Sequence, residues 1–184
     1  MDVFLISVGA VALAEIGDKT QLLALVLAAR YRAPIPIILG ILVATTANHL
    51  AAAWVGVLAA DFLSGDVLRW VIAASFIGMA LWMLIPDKLD SGPRIGDKWG
   101  AFAATAISFF IVEIGDKTQI ATVALAARYH AVLLVGAGTT VGLMLANVPV
   151  ILAGKMVGNR LPLRLIHTIS AVIFLVLGVA ALIF

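Results

Sequence analysis

Apolar residues run along this chain in stretches of roughly 20 or more, and the polar positions fall in short clusters between them. The runs are continuous, without the alternation of period two that a membrane β-barrel needs. About 20 apolar residues of helix cross a ~30 Å hydrocarbon core. The pattern therefore predicts six helical spans, at about 3–29, 35–60, 67–85, 101–129, 131–154 and 165–184. The separators RYRAP, DFLSGD, PDKLDSGPRIGDKWG, RYHA and GNRLPLR hold most of the charge.

Composition sharpens this into an all-α integral membrane protein. Hydrophobic residues make up 64% of the 184 and charged residues 12%, against about 25% charged in soluble domains. A surface facing water on all sides could hardly be covered. The net charge of +2 does not point to nucleic acid, because the basic residues sit at span ends, where they set topology. The absence of cysteine excludes disulfides and thiolate metal sites. The opening MDVFLISVGAVALAE lacks the basic start and small-residue cleavage site of a signal peptide, so it is expected to be the first span.

Orientation follows from the basic residues. With the N-terminus outside, the cytoplasmic loops hold Arg30, Arg32, Lys88, Arg94, Lys98, Lys155, Arg160 and Arg164, and the other side holds Arg69 and Arg128. Eight against two is a strong positive-inside bias. Both termini are expected outside.

Two spans break the apolar rule in the same words. EIGDKTQ occurs at Glu15–Gln21 and again at Glu113–Gln119, and the longer stretches 15–31 and 113–129 share twelve of seventeen residues. Ala47-Asn48 and Ala146-Asn147 repeat in the following spans. Three spans per half is an odd number, so the second half must enter the membrane the other way up. The prediction is two inverted-topology three-helix repeats, 1–85 and 101–184, joined by a cytoplasmic linker at 86–100. Secondary transporters are often built so, with a site near the midplane.

Glu15 lies twelve residues beyond Val3, about 18 Å at ~1.5 Å per residue, which is close to mid-membrane. Unpaired and facing lipid, the six charges of the two motifs would cost on the order of 15–20 kcal/mol. They are expected to pair or to face a wet interior. On an unbroken helix Glu15, Asp18 and Gln21 would span about 120° of one face, with Lys19 about 40° beyond Glu15. The second copy would place Glu113, Asp116, Gln119 and Lys117 alike. Gly17 and Gly115 allow close packing or a local break. Four carboxylates and two lysines leave a charge of −2, which one divalent cation or two protons would neutralise. An all-oxygen set suits hard cations such as Mg²⁺, Ca²⁺ or Mn²⁺.

The plainer reading of the motif is a pair of i,i+4 ion pairs, Glu15–Lys19 and Glu113–Lys117. Apolar residues would fill the same space at lower cost, and the repetition of Asp and Gln favours a site. Lys19 and Lys117 are counter-charges or structural partners. Asn48 and Asn147 line the site or bond between helices. His49 reads as a satisfied core residue, and His130 and His167 as interfacial. Thr45-Thr46 and Thr139-Thr140 read as bonding within their helices, Gly138 and Gly142 as helix packing. Trp54, Trp70, Trp82 and Trp99 read as core or interface residues.

The doubled E-x-G-D-K-T in six spans resembles a known family. It holds Golgi calcium/manganese–proton exchangers, chloroplast manganese transporters and small bacterial manganese exporters. The resemblance covers essentially the whole chain and falls on Glu15, Gly17, Asp18, Lys19 and Thr20, and on Glu113, Gly115, Asp116, Lys117 and Thr118. It implies two inverted three-helix repeats whose motifs form one cation site, exchanging Mn²⁺ or Ca²⁺ against protons. The chain lacks the long N-terminal region and extended central loop of eukaryotic members. It resembles the bacterial form, for which the family implies Mn²⁺ export across the plasma membrane.

The expected protein is thus an antiporter and not an enzyme, with Glu15, Asp18, Glu113 and Asp116 binding cation and proton in turn. Gln21 and Gln119 would complete the shell, and Lys19, Thr20, Lys117, Thr118, Asn48 and Asn147 would stand behind it. No permanent cofactor is expected; the partners are the divalent cation, protons and the bilayer, and a homodimer stays open. A passive cation channel, and an intramembrane aspartyl protease using Asp18 and Asp116, are the competing readings.

Overall fold

The computed structural model describes residues 2–85, 100–153 and 163–183. Their fold is all helical: α1 (Asp2–Glu15), α2 (Lys19–Tyr31), α3 (Pro34–Phe62), α4 (Gly65–Met83), α5 (Gly100–Glu113), α6 (Lys117–Tyr129), α7 (Val132–Ala153) and α8 (Leu163–Ile183). Four helices are long and apolar enough to cross a membrane, Pro34–Phe62, Gly65–Met83, Val132–Leu152 and Arg164–Ile183, and Gly100–Glu113 is a shorter apolar helix. Large apolar side chains such as Ile35, Trp54, Phe62 and Leu133 face outward, while Ser7, Thr45, Asn48 and Asn147 are buried. A water-soluble bundle would do the reverse. This is a membrane protein, with lipid as the outer solvent and its polar residues turned inward. Most of the linker expected at 86–100, together with Lys88, Arg94, Lys98, Trp99, Lys155 and Arg160, lies outside the described residues.

The stretches 3–29 and 101–129, each expected as one span with a local break allowed at its glycine, are each two helices. α1 stops at Glu15 and α2 starts at Lys19; α5 stops at Glu113 and α6 starts at Lys117. Between them Gly17 has φ 84° and Gly115 φ 74°, a left-handed backbone that only glycine adopts at low cost. Asp18 (φ −77°, ψ 168°) and Asp116 (φ −78°, ψ 162°) follow in extended conformation as N-caps. A break in lipid must satisfy its own amides. Asp18 N donates to Glu15 O at 3.1 Å and Asp116 N to Glu113 O at 3.1 Å. Gly17 N donates to Gln21 Oε1 at 2.9 Å and Gly115 N to Gln119 Oε1 at 2.7 Å. At ~1.5 Å per residue the half-helices are only about 20 Å long, short of a ~30 Å core.

Glycines set how closely the helices cross. α1 packs along α7 and α5 along α3. A Cβ on Gly138 would lie 2.7 Å from Phe4 O, and one on Gly40 would lie 2.8 Å from Phe102 O. Both crossings therefore need a bare backbone, as membrane helix pairs often do. α4 packs on α8, where Phe76 stacks on Phe174 at 6.2 Å between ring centres.

Candidate cation site

The ends of the four half-helices bring the acidic residues into the interior. Glu15, Asp18, Glu113 and Asp116 are each at most 2% exposed. One oxygen from each of Glu15, Asp18 and Asp116 lies within 4.8 Å of the other two. These three come from both copies of the motif. Glu113 stands beside this trio and is held separately: Thr45 Oγ1 donates to its Oε1 at 2.5 Å and Asn48 Nδ2 to its Oε2 at 2.9 Å.

The lysines cross between the copies. Lys19 Nζ lies 2.9 Å from Asp116 Oδ1, and Lys117 Nζ 3.6 Å from Asp18 Oδ1. The i,i+4 pairs Glu15–Lys19 and Glu113–Lys117 do not form, because that spacing needs an unbroken helix and the glycine turn separates its ends. The same turn replaces the single helical face expected for Glu15, Asp18 and Gln21. The two pairs differ in shelter. The Lys117 side chain is 3% exposed and its ammonium sits 5.7 Å from the centre of the Trp82 ring, whereas Lys19 is 26% exposed. Within ~6 Å an aromatic face attracts a cation, so Trp82 is more than a packing residue.

The amides divide into two jobs. Asn48 also donates to Phe110 O at 3.0 Å, and Asn147 Nδ2 lies 3.5 Å from Glu15 Oε1 and donates to Leu143 O at 3.1 Å. Each glutamate is thus approached by the asparagine of the other half. Gln21 and Gln119 turn their oxygens to the glycine N–H groups of the breaks, and Gln21 Nε2 donates to Ala146 O at 3.0 Å. In this structure both side chains thus brace the backbone of the breaks. Thr118 Oγ1 donates to Asp116 Oδ2 at 3.2 Å; the Thr20 hydroxyl has no hydrogen-bond partner among the described residues.

Several residues depart from their expected roles. Thr45 bonds Glu113 rather than its own helix, and its i,i+3 spacing from Asn48 was the available signal. Thr139 and Thr140 do bond within α7. His49 is fully buried, yet neither ring nitrogen has a partner among the described residues, so it is not a satisfied core histidine. His167 is not merely interfacial: its Nε2 donates to Ile16 O at 3.1 Å, and Ser170 Oγ donates to Leu13 O at 2.8 Å. α8 thereby covers the first break. The sequence also carried an overlooked sign of the breaks themselves. Asp-x-x-Gln is the capping-box spacing that starts a helix.

A membrane protein that buries a cluster of carboxylates and ammonium groups belongs to the ion-handling class. Carboxylates this close repel when charged, and a cation or protons relieve the repulsion. The chain belongs to the family described as divalent cation/proton antiporter GDT1, which it matches over residues 3–91 and 101–184. It is a transporter and not an enzyme, and the aspartyl-protease reading falls, with each aspartate tied to a lysine. The chain is 56% identical to a Vibrio cholerae protein named "Putative manganese exporter", covering 100% of this chain and 92% of that one. It is 26% identical to a GDT1-like protein of Synechocystis sp., covering 93% and 92% of the two chains. GDT1-like protein 5 of Arabidopsis thaliana is 27% identical, with 92% and 90% covered. No solved structure matches the chain.

Proposed function

We propose that this protein is a secondary active antiporter that exports Mn²⁺ from a bacterium across its plasma membrane as protons enter, with Ca²⁺ the alternative cargo. The observation that carries the reading is the cluster of Glu15, Asp18 and Asp116 oxygens, built from both motif copies and balanced by crossed lysines. Oxygen donors suit a hard divalent cation, and the name of the Vibrio relative favours manganese. In this reading α1–α2 and α5–α6 each make one interrupted span. The six spans form two inverted three-helix repeats, 1–85 and 101–184, with 86–100 as the cytoplasmic linker and both termini outside. Matching breaks and the matched α1–α7 and α5–α3 crossings support that arrangement.

The mechanism follows from charge. The trio and Glu113 carry −4 against +2 from Lys19 and Lys117. Metal entry displaces the ammonium groups from Asp18 and Asp116 and draws oxygens of Glu15, Asp18 and Asp116 around the ion. Metal release leaves a net −2 that two protons neutralise, so the empty site crosses the membrane protonated. Glu113, held by Thr45 and Asn48, joins the proton-binding set.

The test is Mn²⁺ flux in proteoliposomes with an imposed pH gradient and internal pH recorded together, with Ca²⁺ as competitor. Flux should reverse with the gradient, move protons oppositely, and disappear in E113Q and in Asp116→Asn. Flux indifferent to the gradient would indicate a passive channel and overturn the antiporter.

A further inference from the structure

Away from the carboxylates, two cavities adjoin between α4, α6 and α8, at the end of the bundle that carries the α3–α4 and α6–α7 turns. One, of about 290 Å³, is lined by Gly65, Leu68, Arg69, Ile72, Arg128 and His130 among others. The other, of about 240 Å³, has Phe76, Leu125, Leu177 and Ala180 for walls. Arg128 and Ala181 line both. The pair thus has a cationic mouth and an apolar floor.

Arg128 is half-buried and makes no ion pair among the described residues. The other charges at the mouth are partly answered: Arg69 lies 3.3 Å from Asp66, and His130 3.9 Å from Asp61. All four of these side chains are well exposed, so their pairs are weak. A half-buried guanidinium without a carboxylate calls for an anion. Two arginines also repel metal ions, which excludes a cation vestibule here. Arg128 is the penultimate residue of α6 (Lys117–Tyr129), so it lies near the depth at which lipid phosphates meet hydrocarbon. A free phosphate would leave the apolar cavity unfilled. A phospholipid would fill both.

We propose that this groove binds one anionic phospholipid of the surrounding bilayer, its phosphate on Arg128 and Arg69 and an acyl chain against Phe76, Leu125 and Leu177. The site rests on the membrane setting alone and stands whether or not the transport reading does. Arg30, the residue matching Arg128 in the first repeat, is exposed and stacks its guanidinium 5.4 Å from the Tyr31 ring. It serves as the control.

The experiment is native mass spectrometry of the full chain, purified in detergent and incubated with phosphatidylglycerol. Wild type and R30Q should retain one lipid per chain, and R128Q should retain about tenfold less or lower, as expected for a lost charge-assisted pair. Equal retention by R128Q and wild type would overturn the proposal. Where R128Q does not fold, R69Q decides. Arg69 lines the same mouth and is 44% exposed, so the fold tolerates its loss; retention should fall severalfold, and unchanged retention overturns the site. A wild type that holds no lipid but binds inorganic phosphate would assign the arginines to a soluble anion and overturn it too.

Discussion

The two copies of EIGDKTQ have the same letters and nearly the same backbone, but not the same surroundings. Glu113 receives two strong donors, from Thr45 and Asn48. Glu15 has Asn147 at 3.5 Å, and its Oε2 has no hydrogen-bond partner among the described residues. Besides the longer asparagine contact, the two halves differ at one position. Three residues before Asn48 stands Thr45, and three before Asn147 stands Met144. The breaks are also unequally covered, since His167 and Ser170 of α8 cap carbonyls of the first, while Ile114 in the second is 59% exposed. A duplicated site need not be a symmetric one.

The largest test of that inequality lies in the lysines. K117M removes the sheltered partner of Asp18 and should destabilise the protein by about 3–5 kcal/mol, the cost of leaving a buried charge uncompensated. K19M should cost less, because Asp116 keeps the Thr118 hydroxyl and the ammonium removed is already partly hydrated. Thermal midpoints of the two variants in detergent read the gap, and equal losses would erase it. Next come the asparagines. N48A strips donors from Glu113 and Phe110 O and should cost about 1–3 kcal/mol. N147A, with its longer contact to Glu15, should cost about 1 kcal/mol. An N147A loss as large as that of N48A would mean that Glu15 is as firmly held as Glu113. The smallest effect is a rescue. M144T places a hydroxyl where Thr45 stands in the other half, and in an N147A background it should recover about 0.5–1 kcal/mol. No recovery in the double variant would show that the single difference at Met144 does not explain the unequal support.

How much of this was legible beforehand depends on range. The α3, α4, α7 and α8 helices follow from apolar run length, and their observed limits lie within a few residues of those read from the sequence. The doubled motif marks where charge is buried, because lipid tolerates no unexplained Glu, Asp and Lys. The breaks were half legible, through Gly17 and Gly115, and the capping-box spacing would have strengthened them. The crossed pairing of Lys19 with Asp116 and Lys117 with Asp18 was not legible. It depends on how residues about a hundred positions apart are brought together, and local helical spacing suggested different partners. His49 stays unexplained by the same logic: its burial without a hydrogen-bond partner among the described residues follows from no feature of its own helix.

The reciprocal grip of asparagine on glutamate has a consequence for how such a chain can change over generations. Asn48 in α3 reaches Glu113 at the end of α5, and Asn147 in α7 reaches toward Glu15 at the end of α1. Among the described residues, neither half supplies the side-chain hydrogen-bond donors for its own glutamate. Natural variants at position 45 or 48 should therefore be answered by changes near 110–113, in the opposite half of the coding sequence, rather than by neighbours in their own repeat. The two repeats can drift apart in composition, as Thr45 and Met144 have, only while each remains fitted to the other.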